Sequence, residues 1–249
     1  MTSHAGRGVH GQIVETLGSR IASGELASGG TLDLRSLSQE LDVSLTVIRE
    51  SLKVLAGKGL VAARQKRGTF VRPRAEWNML DADVVRWRMA GGQGDALLRD
   101  FAELRAIVEP AAVRCAAERR TDADLAALEE SLAVMGAAEA DAAAADSAFH
   151  SALLTASGNE MLARLHQLME PALRARDAIV HAPHGSAGDP VPSHRAVLDA
   201  IRERDPEQAS IAMADLLAKA ATDFDRAVRS RSTSGDAEGA ATSTASAGT

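Results

Sequence analysis

Three side chains in the second half of the chain have the types and spacing of a divalent-metal site. Asp146 and His150 are four residues apart in a segment with helical periodicity, so both side chains point to the same side. His194 follows a stretch rich in proline and glycine over 183–192. One carboxylate and two imidazoles suit Zn²⁺ best, with Ni²⁺ or Mn²⁺ as alternatives. The same spacing also occurs in ordinary surface Asp–His hydrogen bonds, which is the competing interpretation.

A second group of residues, near the N-terminus, has the pattern of a helix that reads DNA. Ser44 can cap a helix in which Ile48, Leu52 and Leu55 recur at i, i+4 and i+7, which predicts one apolar face packed on a core. The opposite face then carries a hydroxyl and two cations, Thr46, Arg49 and Lys53. A polar helix and a short turn precede it, which is the spacing of a helix-turn-helix.

A basic run after this helix predicts a β-wing. The apolar pairs Leu60–Val61 and Phe70–Val71 flank a tip that contains Gly68, a residue suited to a tight turn and to close approach of a phosphate. The run contains no acidic residue and consists of Arg64, Lys66, Arg67, Arg72 and Arg74. A solvated charged face is the alternative, but the position behind a helix-turn-helix favours DNA.

The distribution of charge separates two parts of the chain. The first 75 residues carry 11 Lys and Arg against 6 Asp and Glu, a net charge of +5. The remainder carries 17 against 28, a net charge of −11. Only the first part is therefore expected to dock on a polyanion. With no signal peptide and no apolar run long enough to span a bilayer, the chain is expected to be cytoplasmic, without a membrane partner.

Beyond the wing, the apolar residues repeat with a helical period throughout, and no segment has the pattern of a strand. Turn signals divide this region into about six helices, which predicts an antiparallel bundle. The expected fold class is mainly α, an N-terminal winged helix-turn-helix followed by an all-helical bundle. The predicted divisions are a disordered N-terminus (1–8), the DNA-binding domain (9–75), a linker with a short helix (76–94), the effector-binding and dimerisation domain (95–231) and a disordered tail (232–249).

The N-terminal motifs resemble the winged helix of the GntR regulators. The resemblance is carried by the segments 32–37, Val43–Ser44, 48–52 and the wing residues 68–71. It implies DNA contacts from α-helical and wing residues, which we expect to be Arg35, Ser44, Thr46, Arg49, Lys53, Lys66, Arg67 and Gly68. Leu45 departs from the family pattern, in which arginine usually follows the serine, so the operator is expected to differ from the family's usual one.

The later segments 146–150 and 193–202 resemble the ligand-sensing helical (FCD) domain of the FadR-type branch of this family. In members that hold a metal, the resemblance implies Asp146, His150 and His194 as ligands. A further histidine is usual on the last helix, but Leu216 stands at that position. Either three protein ligands leave coordination positions open for solvent or an effector, or the ion is weakly held.

The same resemblance implies an effector. Arg105 matches an arginine of the family and could clamp a carboxylate bidentately beside Asp146, His150 and His194, although a lone arginine is more often a surface residue. The tract 77–87 resembles a subgroup that responds to a sugar acid.

The sequence therefore predicts a homodimeric regulator, usually a repressor in this branch, that binds palindromic double-stranded operator DNA and responds to a sugar acid or hydroxyacid. An enzyme is not expected. The alternatives are a metal-dependent enzyme or a direct metal sensor built on Asp146, His150 and His194.

Overall fold

The computed structural model describes residues 8–91, 94–137, 141–180 and 188–245, without the side chains of 142 and 231–245. Within these residues the chain is mainly α-helical, with one two-stranded sheet, which confirms the predicted fold class. It divides into two compact units between Gly94 and Asp95. The elements are α1 (Val9–Ser23), α2 (Leu34–Glu40), α3 (Leu45–Gly57), β1 (Val61–Arg64), β2 (Gly68–Val71), α4 (Ala82–Ala90), α5 (Gly94–Arg119), α6 (Asp122–Met135), α7 (Ala142–Ala156), α8 (Glu160–Val180), α9 (Val191–Arg202) and α10 (Pro206–Ala245).

Side-chain caps fix where the helices of the helix-turn-helix begin. Ser44 caps α3 as expected, since its hydroxyl oxygen accepts from the backbone N–H of Val47 at 3.3 Å. Asp33 caps α2 by accepting from the N–H of Arg35 at 2.9 Å. The apolar face of α3 is buried through Ile48, Leu52 and Leu55, as the periodicity predicts. The caps and the core together set which face of α3 remains outside.

The wing is an antiparallel hairpin. β1 pairs with β2 in a register that places Val61 opposite Val71 and Arg64 opposite Gly68. Lys66 and Gly68 have positive φ angles of 66° and 79°, so the chain reverses through left-handed backbone, which glycine adopts without strain. Thr31 forms a further bridge to Phe70. The hairpin is therefore attached to the segment that precedes α2.

The tract that the sequence assigns to a linker is packed into the first unit. Trp77 and Trp87 are buried, and the Trp87 indole N–H donates to Glu15 at 2.9 Å. Arg86 pairs with the same carboxylate, so α4 is attached to α1 by both packing and charge. The Trp87 ring lies directly on Gly18, where a β-carbon would approach it to 2.5 Å.

We expect Gly18→Ala to destabilise the first unit by about 1–3 kcal/mol, because the added methyl group overpacks the contact with Trp87. Gly57→Ala is the matched control, since nothing lies within 4 Å of a β-carbon there and alanine is the better helix former. Urea unfolding of both variants, followed by tryptophan fluorescence, measures the difference. Equal midpoints would contradict the close α1–α4 contact.

The second unit consists of α5 to α10 in its described residues, in agreement with the expected six helices. Its helices begin at defined caps, among them a capping box of Thr121 and Asp124 before α6 and an Asp141 cap before α7. The core is formed by apolar side chains that include Val113, Leu128, Phe149, Leu153, Met169, Val197, Ile201 and Met213. Buried polar residues lie within this core and form the site described below.

The C-terminal tail is the end of the chain at which the structure differs from the sequence prediction. The sequence predicts a disordered tail from residue 232, whereas α10 continues through Ala245. The composition of 232–245 does not explain this helix, because serine, threonine and glycine outnumber its 4 alanines. The predicted N-terminal disorder falls mostly on residues 1–7, which lie outside the described part, as do 246–249. Among the described helices, none is long and apolar enough to cross a membrane.

Candidate metal centre and nucleic-acid interface

The outer face of α3 carries the side chains expected to read DNA. Thr46, Arg49 and Lys53 are all exposed. Lys53 forms an exposed ion pair with Glu50 at 2.7 Å, a contact worth little in water and easily exchanged for a phosphate. Arg49 makes no side-chain hydrogen bond or ion pair with the residues that the structure describes. Its guanidinium can therefore bind a base or a phosphate of DNA without first breaking a contact within the described part of the protein.

The turn before α3 contributes further polar groups. Arg35 is exposed in the first turn of α2. Ser44 uses its hydroxyl oxygen as an acceptor in the cap, which leaves its hydrogen for donation to a phosphate. Leu45 lies half-buried at the first position of α3 and offers only an apolar surface, which suits a thymine methyl group rather than guanine.

The wing divides its cations between two roles. Lys66 is exposed at the tip, beside Gly68. Arg67 instead turns back, donating to the carbonyl of Gly29 at 2.9 Å and stacking on Phe70 with 3.8 Å from its guanidinium carbon to the ring centre. Arg67 was expected as a DNA contact, but its hydrogen bond and stacking stabilise the hairpin. A contact with DNA from Arg67 stays a prediction.

In the second unit, the structure brings together the carboxylate and two imidazoles that the sequence singled out. Asp146 and His150 lie on α7 and His194 on α9, and all three are buried. One ligand atom from each lies within 4.8 Å of the others. Asp146 Oδ1 lies 3.1 Å from His194 Nε2 and 3.8 Å from His150 Nε2. The interpretation as a surface hydrogen bond is wrong, because none of these groups lies at the surface.

The contacts of the two histidines orient both Nε2 atoms toward this centre. His194 Nδ1 lies 2.8 Å from the carbonyl oxygen of Pro190, so it must carry the hydrogen. His150 Nε2 accepts from Arg105, which can only donate, so the neutral ring carries its hydrogen on Nδ1, 2.9 Å from Glu109 Oε2. An imidazole with its distal nitrogen held by a carbonyl, as in His194, is the usual arrangement of a metal-binding histidine. In His150 the carboxylate of Glu109 lies close to Nδ1, but the geometry is not that of a hydrogen bond.

Glu109 is a site residue that sequence reasoning missed. It is fully buried on α5 and pairs with Arg105, whose Nε donates to Oε1 at 2.7 Å. Burial alone would raise the pKa of Glu109, but the charge of Arg105 and the interactions with His150 and Arg105 outweigh it and lower the pKa to about 2. The i, i+4 spacing of Arg105 and Glu109 was the available signal.

Arg105, which is expected to clamp an effector carboxylate, already contacts two groups of the site. The sequence left a surface position open, but the side chain is buried and its guanidinium bridges Glu109 and His150, with 2.8 Å from Nη2 to His150 Nε2. Burial lowers the pKa of His150, which favours the neutral imidazole that a metal requires. Because Arg105 donates to the His150 lone pair, a metal ion at this centre would replace that hydrogen bond.

The charge balance at Asp146 fits a bound cation. Burial would raise the pKa of this carboxyl, but the two imidazoles beside it and the charges of Arg176 and Arg105 hold the pKa below its ordinary range. Its Oδ2 atom is buried and has no hydrogen-bond partner among the described residues. A buried carboxylate with an unsatisfied oxygen, beside two imidazole nitrogens, is a donor set suited to Zn²⁺ or a similar ion.

The position at which the family has a further histidine also lies at this site. Leu216 is buried and lines a small cavity together with Asp146 and His194, whereas the neighbouring Asp215 is exposed. The structure is thus consistent with the sequence inference that Leu216, and not Asp215, stands at the position of the family's further histidine. Besides the apolar wall, the cavity has cationic side chains, Arg176 and Lys219.

The remaining histidines do not join the centre in the part that the structure describes. His166 is half-buried on α8, where burial lowers its pKa, and His10 is exposed on α1. His4, His181 and His184 lie outside the described residues.

These features define a class of protein: a winged-helix DNA-binding unit followed by a helical unit with a buried polar ligand site. Residues 10–71 match the family described as bacterial regulatory proteins, gntR family, and residues 100–219 match the FCD domain. The chain belongs to the GntR family of transcriptional regulators, in its FCD-bearing branch, as the sequence motifs predict.

Similar proteins agree with this assignment. The galactonate operon transcriptional repressor of Escherichia coli is 35% identical over 210 residues, 81% of this chain and 92% of its own length. The regulator LutR of Bacillus subtilis is 31% identical, over 78% of this chain and 90% of its own. A solved structure of Lar, described as controlling the Listeria monocytogenes agr system, superposes with a TM-score of 0.58 at 16% identity over 88% of this chain and 98% of its own, which shows the fold alone. The family and these relatives regulate transcription and are not enzymes.

Proposed function

We propose that the protein is a homodimeric repressor that releases a palindromic operator when a small carboxylate binds in the helical domain. The observation that carries this proposal is the convergence of Asp146, His150 and His194 in the core of the second unit, next to a cavity that Arg176 and Lys219 also line. Burying polar and charged groups costs free energy, and a bound ligand would offset that cost.

The DNA half of the proposal rests on α3 and the wing. Two copies of α3, related by a dimer axis, would enter successive major grooves, with Arg49 and Thr46 at base edges and Lys66 near the backbone. A dimer requires a palindromic operator, since each copy reads one half-site. The effector must favour one arrangement of the two DNA-binding units over the other, because equal binding to both would not shift the equilibrium.

The metal and the acid would act together. When bound, the ion supplies a Lewis acid that attracts carboxylate and hydroxyl oxygens, with Asp146, His150 and His194 as its protein ligands. Leu216 provides no donor atom, so coordination positions remain for the effector. The name of the galactonate operon repressor supports a sugar acid as the first candidate effector, with short hydroxyacids as the second.

Operator binding by purified protein tests the proposal. We expect the DNA upstream of its own gene to bind at least about tenfold more tightly than random duplex at matched salt, and a sugar acid or hydroxyacid with Zn²⁺ to weaken that binding. No preference over random duplex would contradict the DNA half. Release by a chelator with no response to any acid would favour the alternative, a direct metal sensor.

Removing one metal ligand tests the centre itself. We expect Zn²⁺ at 100 times its dissociation constant to stabilise the wild-type protein by about 2.7 kcal/mol and to have little effect on His194→Ala. This variant leaves the Arg105–Glu109–His150 contacts in place. His166→Ala is the matched control and should keep the full thermal shift. Equal Zn²⁺-induced shifts in all three proteins would contradict the assigned ligands.

A further inference from the structure

Two arginines lie near the candidate metal centre, and they differ in how many of their N–H groups are already used. Arg105 donates from Nε to Glu109 at 2.7 Å, and from Nη2 to His150 at 2.8 Å and to Glu109 at 3.4 Å. Its side chain is only 6% exposed. Its Nε and Nη2 are therefore committed to holding a carboxylate and an imidazole in position. Among the contacts of the described residues only Nη1 is left over, so a ligand that needs a fork of two nitrogens would have to displace one of these partners.

Arg176, on α8, is the less committed of the two. Its Nη2 lies 2.7 Å from Asp177 Oδ1, while its Nε is buried and has no hydrogen-bond partner among the described residues. The side chain lines the cavity that Asp146 and His194 also line, which Arg105 does not. Together with Arg105 it lines a second cavity of about 230 Å³ between α5, α8 and α10. A buried guanidinium N–H without an acceptor is costly, and an entering oxygen would supply one.

The charges around the cavity that Asp146 and His194 line also favour Arg176 as the residue that binds an anion. Asp146 and Asp223 line it and would repel an anion, so a carboxylate needs compensating cations at the same wall. Lys219 is exposed and donates to the carbonyl of Asp189 at 3.2 Å. Arg176 is the more enclosed of these cations, with 19% of its side chain exposed, so its interaction with an anion is screened less by water.

We propose that Arg176, rather than Arg105, binds the effector carboxylate, and that Arg105 is a positioning residue for His150. This inference rests on the proposed function, in which a small carboxylate is the effector. The planar guanidinium of Arg176 would donate to the carboxylate through Nε and one terminal nitrogen, beside the residues that would hold the ion. The specificity for a carboxylate over a neutral polyol then comes from a residue of α8.

The test measures acid-induced release of operator DNA by Zn²⁺-loaded protein with galactonate, gluconate and lactate as probes. We expect Arg176→Met to weaken the response to the effective acid by about 10- to 100-fold, as loss of a charged hydrogen bond implies. Operator affinity without acid and the Zn²⁺-induced thermal shift should stay at wild-type values. Arg174→Met is the matched control on the same helix, since Arg174 pairs with Glu170 away from the centre.

Arg176→Lys keeps the positive charge beside Asp177. It therefore serves as the test variant if Arg176→Met folds poorly. We expect it to bind the acid at least about threefold more weakly than wild type, because lysine lacks the planar fork. Wild-type acid response in Arg176→Lys and Arg176→Met would overturn the inference and leave the proposed function in place. Loss of the Zn²⁺ shift together with the acid response would also overturn it. A wild-type protein that responds to none of the three acids would overturn the proposed effector class itself.

Discussion

Replacing Arg49 with alanine should weaken operator binding at least about tenfold while acid-induced stabilisation of the helical unit stays unchanged. The side chain is exposed on the outer face of α3 and has no competing partner among the described residues. Loss of an arginine contact to a base costs about 1–3 kcal/mol, and a dimer loses it at both half-sites. Fluorescence anisotropy with labelled operator, at one fixed salt concentration, measures the effect.

A charge-matched control separates a local contact from a change in net charge. Arg195 is exposed on α9, so Arg195→Ala removes the same charge from the other unit and should leave operator affinity near the wild-type value. Repeating the titrations with random duplex identifies the kind of contact. A loss confined to the operator indicates a base contact, whereas an equal loss on both DNAs indicates a phosphate contact. Unchanged operator affinity for Arg49→Ala would contradict the role of α3.

The DNA-binding unit was largely predictable because its signals are local. Ser44 caps the helix that it precedes, and the i, i+4, i+7 spacing of Ile48, Leu52 and Leu55 determines the buried face. The orientation of Arg67 was not predictable in this way. Its stacking on Phe70 and its bond to Gly29 depend on the register of the hairpin and on a segment 38 residues away along the chain. A basic run in a sequence does not distinguish cations that point to solvent from those that fold back.

The packing partner of the tract 76–94 was not predictable for a related reason. The sequence predicts a linker with a short helix here, and the structure contains that helix as α4, but the sequence does not tell which surface it covers. The structure places Trp87 against Gly18 and Glu15, both on α1. The signal that was present, two large aromatic groups in a chain with few of them, indicated packing but not the partner.

The candidate metal centre was predictable for the ligands that share a helix. Asp146 and His150 follow from i, i+4 geometry, whereas the residue type and position of His194 made it only a candidate, because its approach depends on the packing of α9. Glu109 escaped notice because α5 buries two charged residues, Arg105 and Glu109, among its apolar positions. The spacing of Arg105 and Glu109 is typical of a surface ion pair, so burial was the missing information.

The largest effect on stability is expected at Glu109. In metal-free protein, Glu109→Ala should destabilise the helical unit by about 3–5 kcal/mol, because it leaves the Arg105 guanidinium buried without its carboxylate. Urea unfolding in the presence of a chelator measures this difference. Glu103→Ala, an exposed position on the same helix, is the matched control and should change stability by less than about 0.5 kcal/mol.

The pH dependence of the stability lost on replacing Glu109 tests whether that loss is electrostatic in origin. The pKa of Glu109 is lowered to about 2 in the folded protein from an ordinary value of 4.5, so its charged form stabilises the fold above pH 4.5. That contribution is lost as the pH falls from 4.5 toward 2, because the unfolded chain takes up the proton first. The stability gap between wild type and Glu109→Gln should therefore shrink over this interval. A gap that stays constant between pH 7 and pH 3 would show that Glu109 acts through its shape and not through its charge, and the ion pair with Arg105 would then contribute nothing to the stability of the site.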